Sequence, residues 1–75
     1  MRPQAAVKWR PVQSSSIRRV GYDAERRELG VEFLHGGTYV YQEVAEAVFE
    51  AFLATESKGR FFHAHVLDRY PFRRA

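Results

Sequence analysis

The most restrictive feature of this chain is a change of period near its middle. Leu29, Val31 and Phe33 occupy alternate positions, His35-Gly36-Gly37 interrupts them, and Thr38-Tyr39-Val40-Tyr41 resumes with β-branched and aromatic residues. From Val44 onward the apolar residues instead recur at three or four: Val44, Val48 and Phe52 make one stripe, and Ala45, Phe49 and Leu53 make a second beside it. Alternation sends neighbouring side chains to opposite faces of a strand, whereas a spacing of three or four gathers them on one side of a helix. The middle of the chain therefore reads as a β-hairpin that feeds a helix.

The length of the hairpin loop decides where the tyrosines point. An odd loop of His35-Gly36-Gly37 sets Phe33 opposite Tyr39 and Val31 opposite Tyr41, with both tyrosines on the core face. An even loop of Gly36-Gly37 sets Phe33 opposite Val40 and turns Tyr39 and Tyr41 outward. The odd loop is favoured, because it leaves Glu32, Thr38 and Gln42 wet and buries two more aromatic rings. Outward tyrosines would instead form a stacking platform beside Arg18 or Arg19, of the kind used by readers of single-stranded RNA.

The flanking segments fill in the rest. Ser14-Ser15-Ser16 leads into a strand over 17–22, in which Ile17 and Val20 have opposite parity and call for a bulge. Asp23 to Arg27 reads as a charged turn. The helix is expected from Glu43 to Thr55, with Glu46 and Glu50 on its wet side. Its apolar arc is wide enough to need covering by a further element or another subunit. That element is a second short helix, with Ser57 as N-cap and Phe61, Phe62, Val66 and Leu67 at helical spacing until Pro71. Residues 1–11, with Pro3 and Pro11, read as an extended arm anchored by Trp9, and residues 73–75 as a basic tail following the aromatic anchor Phe72. The expected fold is α+β: a three-stranded antiparallel meander (17–22, 28–33, 38–42) packed on one face by two short helices, all within a single domain over 12–72.

A chain of 75 residues holds one domain, and one this small needs most of its large apolar side chains for the core. With no cysteine, disulfides and thiolate metal sites are excluded. The segment from Val44 to Leu53 is interrupted by two glutamates and is far short of the roughly 20 residues that cross a bilayer. No secretory signal is legible in the first twelve residues, so a cytoplasmic protein without membrane association is expected. His63 and His65 lie two apart and cannot chelate one metal from one helix face. Ser14 to Ser16 lie in no nucleophile elbow. Neither an enzyme nor a bound metal or cofactor is expected.

Charge is segregated along the chain. Residues 1–22 carry Arg2, Lys8, Arg10, Arg18 and Arg19 with no acid; residues 23–56 carry two arginines against eight acids; residues 57–75 carry Lys58, Arg60, Arg69, Arg73 and Arg74 against Asp68 alone. A phosphate-bearing partner would meet the two ends and avoid the acidic middle.

Taken in order, these residues resemble the KTSC domain, a small module seen alone in bacterial proteins and at the C-terminus of some lysyl-tRNA synthetases. The likeness rests on Ser14-Ser15 before Ile17, Gly21-Tyr22-Asp23, Leu29-x-Val31-x-Phe33, Gly36, Tyr39-Val40-Tyr41, Val44, Ser57-x-Gly59-x-Phe61-Phe62, Val66 and Tyr70. It departs at Ala45, Thr55 and His63, where proline, alanine and asparagine are expected. The resemblance carries no established reaction; the RNA binding suggested for the family comes from its association with a synthetase.

Two functions follow as expectations. One is a non-catalytic module that binds RNA or tRNA through Ser57-Lys58-Gly59-Arg60 at the start of the second helix, where Lys58 and Arg60 flank free backbone donors. Arg18, Arg19 and Arg73, with Tyr39 and Tyr41, would be its auxiliaries. The other is a protein-interaction module using the helical face, in a monomer or weak homodimer.

Overall fold

The hairpin closes through Leu34-His35-Gly36, with Phe33 opposite Gly37, Val31 opposite Tyr39 and Leu29 opposite Tyr41. The parity is odd, as the burial argument requires, but the loop begins one residue earlier than expected. Gly37 rather than Gly36 holds the positive φ, at 88°, and already belongs to the returning strand. Tyr39 and Tyr41 therefore share the face of Leu29, Val31 and Phe33.

The computed structural model describes residues 7–75, so most of the expected arm, residues 1–6, lies outside the described residues. Five strands, rather than the expected three, form one antiparallel sheet in sequential order: β1 (Lys8–Pro11), β2 (Ile17–Asp23), β3 (Glu28–Phe33), β4 (Gly37–Tyr41) and β5 (Phe72–Arg74). Two helices, α1 (Glu46–Ala54) and α2 (Lys58–His65), precede β5. The extra strands come from the segments read as arm and tail. Both lie at sheet edges, are short and carry two basic residues each, and β1 ends in a proline, features that blunt an edge against further pairing and erase the alternation by which a strand is recognised.

Val20, Tyr22, Leu29, Val31 and Tyr41 face the helices, which return Phe49, Phe52 and Phe62 into one core with Ile17, Val44 and Val66. Ile17 joins this face because the register slips between Ile17 and Arg19, which is the bulge that the parity of Ile17 and Val20 demands. The Tyr22 ring stacks on Phe49 with centroids 5.3 Å apart, and its hydroxyl donates to the Val44 carbonyl.

The helices are shorter than their periodicity suggests. Glu43 takes a left-handed φ of 61°, and Val44 N–H donates to the Arg27 carbonyl at 2.9 Å, so α1 starts only at Glu46. The chain spends these residues turning the corner from sheet to helix. At the other end, Asp68 at φ 63° closes α2 well before Pro71. Ser57 is the N-cap, its hydroxyl accepting from Arg60 N–H at 3.4 Å. None of the helices among the described residues is long and apolar enough to cross a membrane.

The face of the sheet turned away from the helices is covered by side chains alone. Trp9 lies over Gly30, where a Cβ would come within 2.7 Å of the indole Cη2. The Arg19 guanidinium stacks on the indole, 4.2 Å from its centroid. Replacing Gly30 by alanine should lift Trp9 and cost about 1–3 kcal/mol by overpacking. Urea unfolding followed by tryptophan fluorescence should show a lower midpoint and, in the native state, a red-shifted emission.

Burial pushes the Tyr22 hydroxyl above its ordinary pKa of 10.0, against the opposing pull of Arg27. The folded state thus keeps the neutral phenol to higher pH than the unfolded chain does. Its stabilising contribution is complete below about pH 10 and is lost as pH rises through the folded-state value. The urea midpoint should be flat between about pH 7 and 9 and fall above pH 10. Tyr22→Phe should be about 1 kcal/mol less stable at neutral pH, with the Val44 carbonyl left unpaired, and should lose less stability on going alkaline.

Candidate functional site

The loop between β1 and β2 and the joint between α1 and α2 meet at one end of the sheet. Ser14 Oγ accepts the backbone N–H groups of Ser16 and Ile17, both at 3.1 Å, which curls residues 14–17 into a turn. Leu34 N–H donates to the Ser16 carbonyl at 2.9 Å and ties that turn to the hairpin loop. Against it sits the first turn of α2. A side chain at Gly59 would stand 3.1 Å from Ser16 Oγ, so glycine is what lets the two segments approach. Sequence elements more than forty residues apart, Ser14-Ser15 and Ser57-x-Gly59, thus form opposing walls.

Between these walls lies an open cleft of about 960 Å³, lined by residues 13–16, 56–60 and 63–64. A shallower groove of about 530 Å³ runs on from it, bounded by residues 10–13, Leu53 and Lys58. The two share Gln13 and Lys58 and so adjoin, and this channel of cleft and groove has Arg10 in one part and Arg60 and His63 in the other. Arg10 comes from the first basic block of the sequence and Arg60 from the last. Glu56 is the sole acid among the lining residues.

Lys58 is not the free cation expected beside the α2 N-terminus. Its Nζ donates to the Leu53 carbonyl at 3.3 Å and to the Thr55 carbonyl, which satisfies exposed acceptors at the end of α1. Its charge belongs to the floor of the channel and holds the two helices in place. Arg60 is exposed at the rim, and its backbone N–H donates to Ser57 Oγ.

Arg18, Arg19 and Arg73 are not brought to this channel. Arg19 bonds Glu32 and Arg18 leans on the same carboxylate at 3.9 Å. Arg73 makes two bonds to Glu28, at 3.0 and 3.3 Å, across the sheet. These arginines are committed to acids rather than gathered around Ser57, because the bulge and the β5 register direct them elsewhere. Tyr41 is buried beneath Phe62 and Phe72, and burial, reinforced by Tyr39 and Asp68, raises its pKa and keeps it neutral. Tyr39 is only half buried, edge-on to Phe33 and Phe72.

Two features escaped the sequence reading. Arg10 lay in the segment taken for an arm, with no period to orient it. Phe72, taken for an anchor, is 57% exposed; the strand it starts is too short to show alternation. The two histidines part company as their spacing requires: His63 lines the channel, and His65 packs on Phe61 in a different groove. Among the described residues, no three His, Cys, Asp or Glu side chains converge in a way that could hold a metal ion.

The sequence profile of the KTSC domain matches residues 13–70, more than half of the chain. The chain belongs to the KTSC domain family. A protein of Tsukamurella paurometabola is 45% identical to this KTSC domain over 60 residues, 80% of this chain and 90% of that one. An uncharacterized protein of Stutzerimonas stutzeri is 46% identical over 52 residues, 69% of this chain and 73% of that one. The fold is also that of a KTSC domain protein from Yersinia pestis known from its crystal structure, with a TM-score of 0.91 at 37% identity, covering 93% of this chain and 99% of that one.

Removing the Lys58 ammonium from this KTSC domain leaves carbonyls at the end of α1 without their partner. Lys58→Ala should therefore cost about 1 kcal/mol and lower the melting temperature by about 4–8 °C, whereas Arg60→Ala should move it little. Thermal unfolding by circular dichroism checks both.

Proposed function

We propose that this KTSC domain is a non-catalytic module that binds RNA, with the channel between the Ser14–Ser16 turn and α2 as its phosphate track. The observation that carries the reading is the charge of that channel. Its walls take one arginine from each basic block, Lys58 lies in its floor, and Glu56 is its single acid. The acids of α1 that would repel a polyanion, Glu46 and Glu50, line neither part of it; Arg10 also borders a separate pocket lined by Asp23, Glu25 and Glu46. Among the described residues the Ser57 hydroxyl accepts the Arg60 N–H alone, and the first turn of a helix carries further N–H donors beside the serine hydroxyls.

Most of the binding free energy in such a site comes from neutralising phosphates, so affinity is modest, tolerant of sequence and steeply salt dependent. A titration of a short RNA at several salt concentrations tests this. Arg10→Gln with Arg60→Gln should weaken binding at low salt and flatten the slope of log K against log salt by about 1.4, at roughly 0.7 per phosphate contact on a single strand. Both side chains are exposed, so the melting temperature should hold. An unchanged affinity and slope would reject the channel as the site.

A second reading has its own observation. A groove of about 690 Å³ between α1 and α2, lined by Ala47, Val48, Ala51, Phe61 and Tyr70 with His65 and Arg69, is mostly apolar and suits a protein partner. Co-purification of a protein partner that is lost on changing Ala47 and Ala51 to glutamate, but not on changing Arg10 and Arg60, together with no RNA binding at low salt, would favour that face.

A further inference from the structure

We infer that the exposed rim of the aromatic row Phe33–Tyr39–Phe72 receives unpaired bases, so that the RNA bound by this domain is single stranded. The inference rests on the proposal that the channel holds phosphates, and it adds the part of the ligand that the channel does not touch.

The row is tied to the channel wall by a chain of ring contacts that passes through the core at Phe62. His63, on the channel wall, meets the Phe62 ring edge-on at 5.8 Å, and Phe62 meets Phe33 at 5.1 Å. Phe33 meets Tyr39 at 6.1 Å, and Tyr39 meets Phe72 at 5.6 Å. Along this path the rings emerge progressively from the core. Phe62 is buried, Phe33 and Tyr39 are half covered, and Phe72 is 57% exposed. One side of the Phe72 ring covers Tyr41, and the rest of it faces solvent. Every base has an apolar π-face that such a ring matches without regard to sequence.

Charge selects a nucleic acid over an apolar peptide as the occupant. The Arg74 guanidinium lies over the Tyr39 ring, 5.6 Å from its centroid, next to Phe72 in the chain, and Arg60 stands at the channel end of the path. Asp68, an exposed carboxylate, acts on the buried Tyr41. A half-exposed aromatic row flanked by arginines is the pairing of stacking surface and cationic track that single-stranded nucleic acids require. A duplex keeps its bases stacked on one another and offers such a row nothing but sugar and phosphate.

The ring can be changed without dismantling its strand. β5 is held by its ladder to β4, by Gln42 N–H to the Pro71 carbonyl at 2.8 Å, by Ala75 N–H to the Thr38 carbonyl at 2.9 Å, and by Arg73 on Glu28. Phe72→Leu should therefore fold, and Phe72→Trp restores a ring that also reports. The experiment compares three probes at one low salt concentration: an octameric single-stranded RNA, an octamer of the same backbone with abasic sites throughout, and an RNA duplex. Wild type should bind the single strand about tenfold more tightly than the abasic octamer, the scale of one base stacked on an aromatic ring. Phe72→Leu should abolish that preference while binding the abasic octamer as wild type does. Phe72→Trp should retain the preference, and the fluorescence it gains over wild type should be quenched by the base-bearing octamer only.

Equal wild-type affinity for the base-bearing and abasic octamers would overturn the stacking inference and leave the phosphate track standing. So would a preference that survives in Phe72→Leu, or duplex bound as tightly as single strand. Binding of none of the probes would remove the RNA reading itself. A sedimentation mass that falls from dimer to monomer in Phe72→Leu would overturn the inference by assigning the ring to a second copy of the chain.

Discussion

The parity of the β3–β4 hairpin is the constraint on which the rest depends. A slip of one residue would exchange the faces of Leu29, Val31 and Phe33 relative to Tyr39 and Tyr41, and no single apolar surface would remain for the helices to cover. With the parity fixed as odd, one face of the sheet becomes a continuous apolar field from Ile17 to Tyr41, and both helices are obliged to lie on it. Their short connection, Thr55 to Ser57, then brings the start of α2 over the turn that precedes β2. The channel follows from satisfying the hairpin. It is not an independent invention of the loops.

The opposite face shows how so small a domain covers the rest of its sheet. Among the described residues no helix or strand covers it; one indole lies over a glycine, a guanidinium closes over the indole, and two carboxylates on that face hold arginines. The Arg19–Glu32 pair is partly exposed and individually weak, whereas Glu28 is buried and holds Arg73 through two hydrogen bonds. The larger effect of both pairs is to engage Arg19 and Arg73 with acids of the same sheet face, whereas Arg10, Arg60 and Arg74 remain exposed elsewhere.

The chain is legible in sequence wherever apolar spacing persists over several residues, and opaque wherever it does not. The hairpin, the bulge at Ile17, the order of two helices, the Ser57 cap and the KTSC family all rest on patterns long enough to read. β1 and β5 are not, since Lys8–Pro11 and Phe72–Arg74 are shorter than the alternation that would announce them. The boundaries of α1 failed for a different reason: Glu43 and Ala45 fit a helix, but hydrogen bonds to Arg27 and Pro71 pin Val44 and Gln42 in a corner that no local propensity encodes. The candidate site shows the same division. Ser57, Gly59 and Arg60 could be placed from sequence, whereas the true orientation of Lys58 and the arrival of Arg10 depend on tertiary contacts.

The most direct test of the account is to map the RNA-bound surface by the backbone amide shifts of isotope-labelled protein on addition of a single-stranded octamer. The account predicts a contiguous set of perturbed amides at Ser14 to Ser16, Lys58 to Arg60, His63 and Phe72 to Arg74, with Trp9, Gly30, Ala47 and Ala51 unmoved. Shifts confined to Ala47, Ala51 and Phe61, or centred on Trp9 and Gly30, would contradict it.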